Sequence, residues 1–225
     1  MKSKIIAIIP ARGGSTRVKN KNIKIFNKKP LIVWTIEAAL KSKLITDVYV
    51  TSENKSILKI SKKYLANIIK RPKKLSNSII MPDAAVRHAY LKINKDYDYI
   101  VTLQPTSPLR QAKDIDEAIK KIIKTGADSL LSVFKTHPFI WKKLHNYYMP
   151  TNYNIKKRPR SQDSNLFQET GAIYITKPKI LIENHNRLGG KIITHSMSIW
   201  RSLDIDNIED FNKGEILAKN LKKND

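Results

Sequence analysis

Arg12, Arg17, Lys19 and Lys21 place four basic side chains within ten positions of a segment, Pro10 to Asn22, that also holds Gly13, Gly14 and Ser15. Glycines let a backbone fold close to a ligand, so that its N–H groups cradle phosphate while the cations neutralise a polyphosphate. The segment has neither the Gly-Lys-Ser/Thr of a Walker A loop nor the Gly-x-Gly-x-x-Gly of a dinucleotide fingerprint, which disfavours P-loop ATPases and NAD enzymes. A solvated basic loop would have a similar composition. This one, however, follows the first and most apolar strand-like run of the chain, Ile5 to Ile9.

Asp204 and Asp206 flank one apolar residue, Ile205. In an extended segment that spacing puts both carboxylates on the same side of a strand end. Paired oxygen ligands suit Mg²⁺, which takes one or two carboxylates together with substrate phosphates and waters. An Asp-x-Asp pair ahead of a helix is more often a cap, and Asp206 can serve as one. In so basic a chain, two close carboxylates beside a polyphosphate site are otherwise poorly explained. Arg71 stands before Pro72, where its guanidinium can lie at a sheet's ligand edge, a surface arginine being an equal alternative, and Gln104 ends a strand-like run with an amide that both donates and accepts, unless it caps the turn before Pro105. The histidines (His88, His137, His145, His185, His195) have no metal-ligand spacing, and without cysteine there is no thiolate nucleophile or disulfide framework.

The elements that must hold these groups alternate. The apolar run from Lys4 predicts a strand buried on both faces, and the pattern continues with a helix from Pro30 to Lys43, a strand Asp47 to Thr51, a helix Lys55 to Tyr64 and a strand Ala66 to Lys70. Further on, Pro82 to Ile93 and Lys113 to Thr125 read as helices, Tyr99 to Leu103 and Ser129 to Phe134 as strands. Gly171 to Thr176 and Lys191 to His195 add strands, with a short helix near Ile180 and a last one from about Glu209 to Leu221. This predicts an α/β fold, a mostly parallel sheet with helices on both faces and ligands at the strands' carboxyl ends. Between Thr136 and Gln168 the regular pattern fails, replaced by prolines, Trp141, Tyr147, Tyr148, Tyr153 and Lys156-Lys157-Arg158. The expectation is one domain, 1–225, with an inserted arm at about 137–168 that serves function or assembly.

The whole chain of 225 residues carries a net charge of +24, which attracts any polyanion. Lys, Ile and Asn share A/T-rich codons, the cations spread along the chain, and aromatic residues do not interleave with them as a stacking platform requires. A basic nucleic-acid-binding protein is therefore the different-class alternative, ranked below an acidic small molecule, with no specific nucleic acid expected. No apolar run approaches the ~20 residues of a membrane span, and the N-terminus lacks a signal peptide's h-region, so a cytoplasmic protein is expected.

Pro10 to Asn22 with Pro30-Leu31, then Arg71-Pro72, Leu103-Gln104-Pro105-Thr106-Ser107-Pro108-Leu109-Arg110, Gly171-Ala172-Ile173-Tyr174, Gly189-Gly190-Lys191 and Ser202-Leu203-Asp204-Ile205-Asp206 resemble, in that order, the acylneuraminate cytidylyltransferase family. Its members activate nine-carbon sialic-type sugars with CTP. The resemblance implies a Rossmann-like nucleotidyltransferase fold and CTP held by Arg12, Gly13, Ser15, Lys21, Asn22 and Arg71. It puts the acidic sugar at Gln104, Lys142, Arg160 and Tyr174, with Mg²⁺ on Asp204 and Asp206. Arg12, Lys21 and Asp206 would then be the catalytic residues of a homodimer whose arm crosses to the partner. Arg160 lies in Arg-Pro-Arg-Ser-Gln-Asp, which resembles the family's substrate-binding arginine motif and suits a carboxylate-bearing sugar. Thr16, Pro82 and Thr170 depart from the family pattern. The Ser15-Thr16-Arg17 run is similar instead to 3-deoxy-octulosonate synthetases, the alternative within the class, which lack the Gln-Pro-Thr-Ser-Pro and Ser-x-Asp-Ile-Asp segments.

Overall fold

Ile5–Pro10 (β1) sits in the middle of the sheet because its side chains from Ile5 to Ile9 suit apolar surroundings on both faces, and none is more than 1% exposed. A computed structural model describes residues 3–77, 80–160, 163 and 165–221. After β1 the chain forms a small antiparallel ribbon, Ile25–Phe26 (β2) with Lys29–Pro30 (β3), and then Leu31–Leu40 (α1). Asp47–Ser52 (β4), Lys55–Lys63 (α2), Asn67–Lys70 (β5), Pro82–Ile93 (α3) and Tyr99–Thr102 (β6) follow. Next come Ala112–Thr125 (α4), Ser129–Thr136 (β7), the hairpin Trp141–Leu144 (β8) with Tyr147–Pro150 (β9), and Leu166–Thr176 (β10). Pro178–Glu183 (α5), Ile192–Ser196 (β11) and Ile208–Leu221 (α6) end the fold.

The seven-stranded sheet has the order β11-β7-β10-β6-β1-β4-β5. Only β10 runs against its neighbours, pairing antiparallel with both β6 and β7. The expected α/β architecture, mostly parallel with helices on both faces, is what forms. Because side chains alternate along a strand, Ile5, Ala7 and Ile9 of β1 pack with α1, α2 and α4, while Ile6 and Ile8 pack with α3 and Leu181 of α5. Local signals agree with this packing. Asn54 caps α2 by accepting from the N–H groups of Ser56 and Ile57, and Gln111 with Asp114 forms a capping box on α4. No helix among the described residues is long and apolar enough to cross a membrane.

Two expectations are corrected. The stretch after Thr136 is not irregular: β7 and β10 continue outward as a two-stranded ribbon, Leu166 opposite Thr136, and the β8–β9 hairpin follows it. Strands of four residues exposed on both faces have no apolar alternation for a sequence pattern to show. Likewise, Asp204 and Asp206 are not at a strand end, since residues 202–206 belong to no strand. They lie on a segment outside the strands, which Ile205 N–H ties to Thr106 O at 2.8 Å.

That segment is anchored by a third apolar cluster, Phe26, Leu31, Leu109, Ile205, Phe211 and Ala218, which docks α6 beside the start of α1. The Phe26 ring makes edge contacts to Trp34 and Phe211, with centroids 6.0 and 5.3 Å away. Gly214 of α6 permits this approach: a Cβ there would stand 2.8 Å from both Leu203 Cδ2 and the Phe26 ring. Gly214→Ala sets a helix-propensity gain of about 1 kcal/mol against an overpacking cost of about 1–3 kcal/mol, and the fully buried Phe26 cannot retreat. A net loss of about 1 kcal/mol is expected in urea denaturation; a gain would show that α6 packs loosely.

Candidate active site

The carboxyl ends of β1, β5 and β6 open toward one side, and the segments leaving them line the site together with Asp204 and Asp206. Buried Val18 pins the loop after β1, and Asn20 turns it through a left-handed conformation (φ 55°) into a 3-10 turn at Lys21–Ile23. Asn22, buried, donates from Nδ2 to Arg12 O at 2.8 Å, and its Oδ1 has no hydrogen-bond partner among the described residues. Arg12, Ser15, Lys21, Asn22 and Arg71 line a cleft of about 310 Å³. Gln104 and both aspartates complete its far wall. Gly13, expected at the nucleotide, does not line the cleft, and its N–H is donated to Glu53 Oε1 at 2.7 Å.

Arg71 is more enclosed than a residue at an open ligand edge. It is 4% exposed, and its Nε and Nη2 donate to Glu53 Oε2 at 3.2 and 3.1 Å. Burial opposes the ionised form of Glu53, but bonds from Ser76 and the Gly13 N–H, with the charge of Arg71, hold its carboxyl below the usual range. Arg110, although it closes the Gln-Pro-Thr-Ser-Pro-Leu-Arg run, faces away from the cleft. It is buried, donating to Ala172 O at 2.6 Å and Thr35 Oγ1 at 2.7 Å, and so ties β10 to α1.

Ile205 is fully buried, so the carboxylates on either side of it both face the cleft. The same-side geometry expected of the pair holds without a strand. Burial pushes the Asp204 carboxyl above its usual range and Asp206 adds to this, against a hydrogen bond from Thr106 and the charge of Lys21. Lys21 donates to Ile205 O and stands 3.9 Å from Asp206 Oδ1, while Arg17 Nη1 lies 3.2 Å from Asp206 Oδ2. Burial pulls the Lys21 ammonium below the usual lysine range, against the attraction of both aspartates. The α6 cap is not Asp206. Asn207 Oδ1 accepts from Asp210 N–H at 2.8 Å, and Asp210 Oδ2 accepts from the N–H groups of Asp206 and Asn207 at 3.0 and 3.1 Å. The Asp206 side chain is thus left to the cleft. Two carboxylates, one of them desolvated, fit a hard divalent cation such as Mg²⁺ that shares its remaining ligands with phosphate. Among the described residues no group of three or more His, Cys, Asp or Glu is placed to hold a metal.

A second cleft, of about 570 Å³, adjoins the first and shares Gln104, Asp204 and Asp206 with it. Gly171 lies at the junction in a left-handed conformation (φ 71°), where the pairing of β10 with β7 shifts. Its missing side chain lets Gln104 and Asp204 approach, for a Cβ would sit 3.2 Å from Gln104 Oε1 and 3.5 Å from Asp204 Oδ2. Tyr174 lines this cleft from β10. Its hydroxyl donates to Glu169, Arg187 stacks 4.0 Å from its ring centroid, and burial followed by the Glu169 contact raises its pKa. Lys142 and Arg160 line neither cleft of their own chain; both are exposed on the arm, and Ser161 and Gln162 lie outside the described residues. Sequence reasoning missed Glu53, Thr106, Arg187 and the Asn207–Asp210 cap. Glu53, an acid directly after a strand in a basic chain, carried a readable signal; the others became legible only through their contacts.

The cytidylyltransferase family model matches residues 6–222. N-acylneuraminate cytidylyltransferase A of Danio rerio is 36% identical over 207 residues, covering 90% of this chain and 48% of that protein. The chain thus spans about half the length of this relative, and 51% of the N-acylneuraminate cytidylyltransferase of Escherichia coli O18:K1:H7. The pseudaminic acid cytidylyltransferase of Campylobacter jejuni strain 81-176 is 31% identical over 232 residues, covering 96% of this chain and 97% of that protein. Among solved structures, CMP:2-keto-3-deoxy-manno-octonic acid synthetase complexed with CTP shares the fold, with a TM-score of 0.73 at 14% identity over 97% of this chain and 99% of that one.

The assignment of the α6 cap is directly testable. Asn207→Ala should cost about 1 kcal/mol of stability by denaturant titration, the usual loss for an N-cap. Asp206→Asn should cost less than about 0.5 kcal/mol, since it removes only partly exposed ion pairs. The reverse order would return the cap to Asp206.

Proposed function

The chain belongs to the cytidylyltransferase family, and on that premise we propose that it transfers a cytidylyl group from CTP to the anomeric hydroxyl of a nine-carbon 3-deoxy-2-keto acid, releasing pyrophosphate. One observation carries this reading: the basic loop and the aspartate pair line the same first cleft, in contact through Lys21 and Arg17, and the second cleft meets it at Gln104, Asp204 and Asp206. A triphosphate seated among Arg12, Ser15 and Lys21 would present its α-phosphorus toward the junction. A sugar in the second cleft would bring its hydroxyl to the same point, with Gln104 able to orient it. The names of the Danio and Campylobacter relatives support the acidic sugar. The octulosonate alternative has in its favour the Ser15-Thr16-Arg17 run and a likeness of fold alone.

In this mechanism the anomeric oxygen attacks the α-phosphorus in line, the bond to the β-phosphate bridging oxygen breaks, and the hydroxyl proton passes to solvent or to the departing pyrophosphate. Arg12 and Lys21 neutralise the charge that grows on the leaving group, and Ser15 on the cleft wall offers its hydroxyl to the phosphates. Asn22, with its buried unpartnered Oδ1, and Arg71 hold the nucleoside end. Mg²⁺ at Asp204 and Asp206 would supply Lewis-acid stabilisation to the phosphates. Asp206 is the ligand best placed to exchange its present partners, Arg17 and Lys21, for a metal. No side chain is assigned as general base. The reading places the enzyme in the cytoplasm, where CTP is made, and treats the +24 charge as unrelated to any specific nucleic acid.

The arm completes the site in a homodimer. Trp141, Tyr147 and Tyr148 are 45–60% exposed although Phe139, Tyr153 and Arg158 form a cluster of their own beside them. Such an aromatic patch suits a second copy, and Lys142 and Arg160 on it would reach a carboxylated sugar across the interface.

With CTP, Mg²⁺ and a panel of nine-carbon keto acids, pyrophosphate release should appear with at least one sugar, and silence across the panel would sink the assignment. Asp206→Asn should lower kcat by about 10²-fold or more, and Lys21→Met should raise the KM for CTP about 10- to 100-fold, the value of a charge-assisted contact. Wild-type kinetics in both variants would mean that the loop and the pair are misassigned. Mixing an Arg160→Ala chain with an Asp206→Ala chain should restore part of the lost activity, because one hybrid site combines both intact contributions. No recovery in verified heterodimers refutes the shared site.

A further inference from the structure

Glu53 stands behind the nucleotide cleft and not on its wall, yet it fastens two parts of that wall to each other. Its Oε1 accepts the Gly13 N–H at 2.7 Å, which sets the path of the phosphate loop. Its Oε2 accepts from Arg71 Nε at 3.2 Å, from Arg71 Nη2 at 3.1 Å and from the Ser76 hydroxyl at 2.6 Å. Ser76 Oγ also accepts from Arg71 Nε at 2.8 Å, so the guanidinium is gripped along its Nε edge from two directions. Arg71 leaves the end of β5 and Gly13 lies past the end of β1, segments far apart in sequence that this carboxylate joins, with a longer contact from Arg12 Nη1 to Asn77 O at 3.5 Å beside it.

The backbone around Glu53 is itself fixed. It follows β4 directly, and the next residue, Asn54, caps α2. Both carboxylate oxygens are committed, one to the loop and one to Arg71 and Ser76, which leaves Glu53 poorly suited to bind substrate and well suited to hold what does. Arg71, 4% exposed, is a buried cation with Glu53 as its ion-pair partner. Without that partner the guanidinium would turn toward any other anion within reach.

We propose that Glu53 is a positioning residue for the nucleotide: it shapes the loop at Gly13 and holds Arg71 by its Nε edge on the cleft wall before the triphosphate enters. The choice of side chain follows from the bonds it makes. Glutamine would turn an amide N–H₂ against a donor, either Gly13 N–H or Arg71. Aspartate keeps the charge but is one methylene too short to span both partners.

The inference rests on the CTP reading above, and its test separates the two. Calorimetric titration of CTP with Mg²⁺, in the absence of sugar, is compared for the wild type, Glu53→Gln and Glu53→Asp, alongside thermal unfolding midpoints and steady-state kinetics. Glu53→Gln should weaken CTP by about tenfold or more, the loss expected when a charged partner goes. The KM for the sugar should stay within about twofold and kcat at saturating CTP within about threefold, a split that general loosening of the fold would not produce. Glu53→Asp, which leaves Arg71 compensated, should keep the unfolding midpoint near the wild type yet still weaken CTP by a few-fold; it decides the matter if the glutamine variant does not fold. Unchanged CTP affinity in the folded variants, or equal rises in both KM values, overturns the role of Glu53 and leaves the function intact. A wild type that does not bind CTP overturns both.

Discussion

Burial of Ile205 is the constraint on which the site depends. The segment that carries it belongs to no strand, so its position comes from placing one side chain among Phe26, Leu31, Leu109 and Phe211. Fully burying an isoleucine contributes about 1.5–3 kcal/mol, enough to fix a short segment against its conformational freedom when the Thr106 bond and the Lys21 contact are added. With Ile205 inward, Asp204 and Asp206 on either side of it line the cleft. The same cluster docks α6, whose own Asn207–Asp210 cap frees Asp206 from a structural task.

Electrostatics then distinguishes these two acids from the rest. The chain has 19 acidic residues against 43 basic ones. Several of the acids are committed to particular cations: Glu53 to Arg71, Asp83 to Arg187, Asp114 to Arg201 and Asp128 to Lys177. Buried arginines of this kind depend on their partners, because removing one member strands a charge in low dielectric. Asp204 differs, since it is buried beside a second carboxylate and answered in part by Lys21, whose own charge burial disfavours. Burial therefore disfavours the charge on Asp204 even with Lys21 and Arg17 beside the pair. A divalent ion arriving with a polyphosphate would add positive charge there.

The ribbon formed by β7 and β10 gives the arm a different physical character from the sheet. Inside the sheet β10 is buried from Thr170 to Thr176, whereas Leu166 to Glu169 are exposed. The change falls at the shift in pairing beside Gly171, which also makes room for Gln104. A single irregularity therefore sets both the departure of the arm and the meeting of the two clefts.

Much of this was legible in the residues themselves. The continuous apolar run of β1, Pro82 at the start of α3 and the period of α4 are local signals. Element types and the α/β class follow from them, because local propensity and burial pattern agree. The basic loop after β1 and the aspartate pair, which the proposed function makes its phosphate and metal groups, could be singled out for the same reason, being short motifs of adjacent side chains. Contacts between distant segments were not. That Glu53 joins Gly13 to Arg71, that Arg110 turns into the core, that Arg187 stacks on Tyr174 and that β10 runs antiparallel are outcomes of packing across the sheet. The β8–β9 hairpin was hidden because an exposed ribbon four residues long has no buried face to impose a period. The sequence by itself determined which chemical groups are present and what local structure carries them. Only the tertiary structure decided which groups meet, since that depends on the sheet order and on which side chain is driven into each apolar cluster.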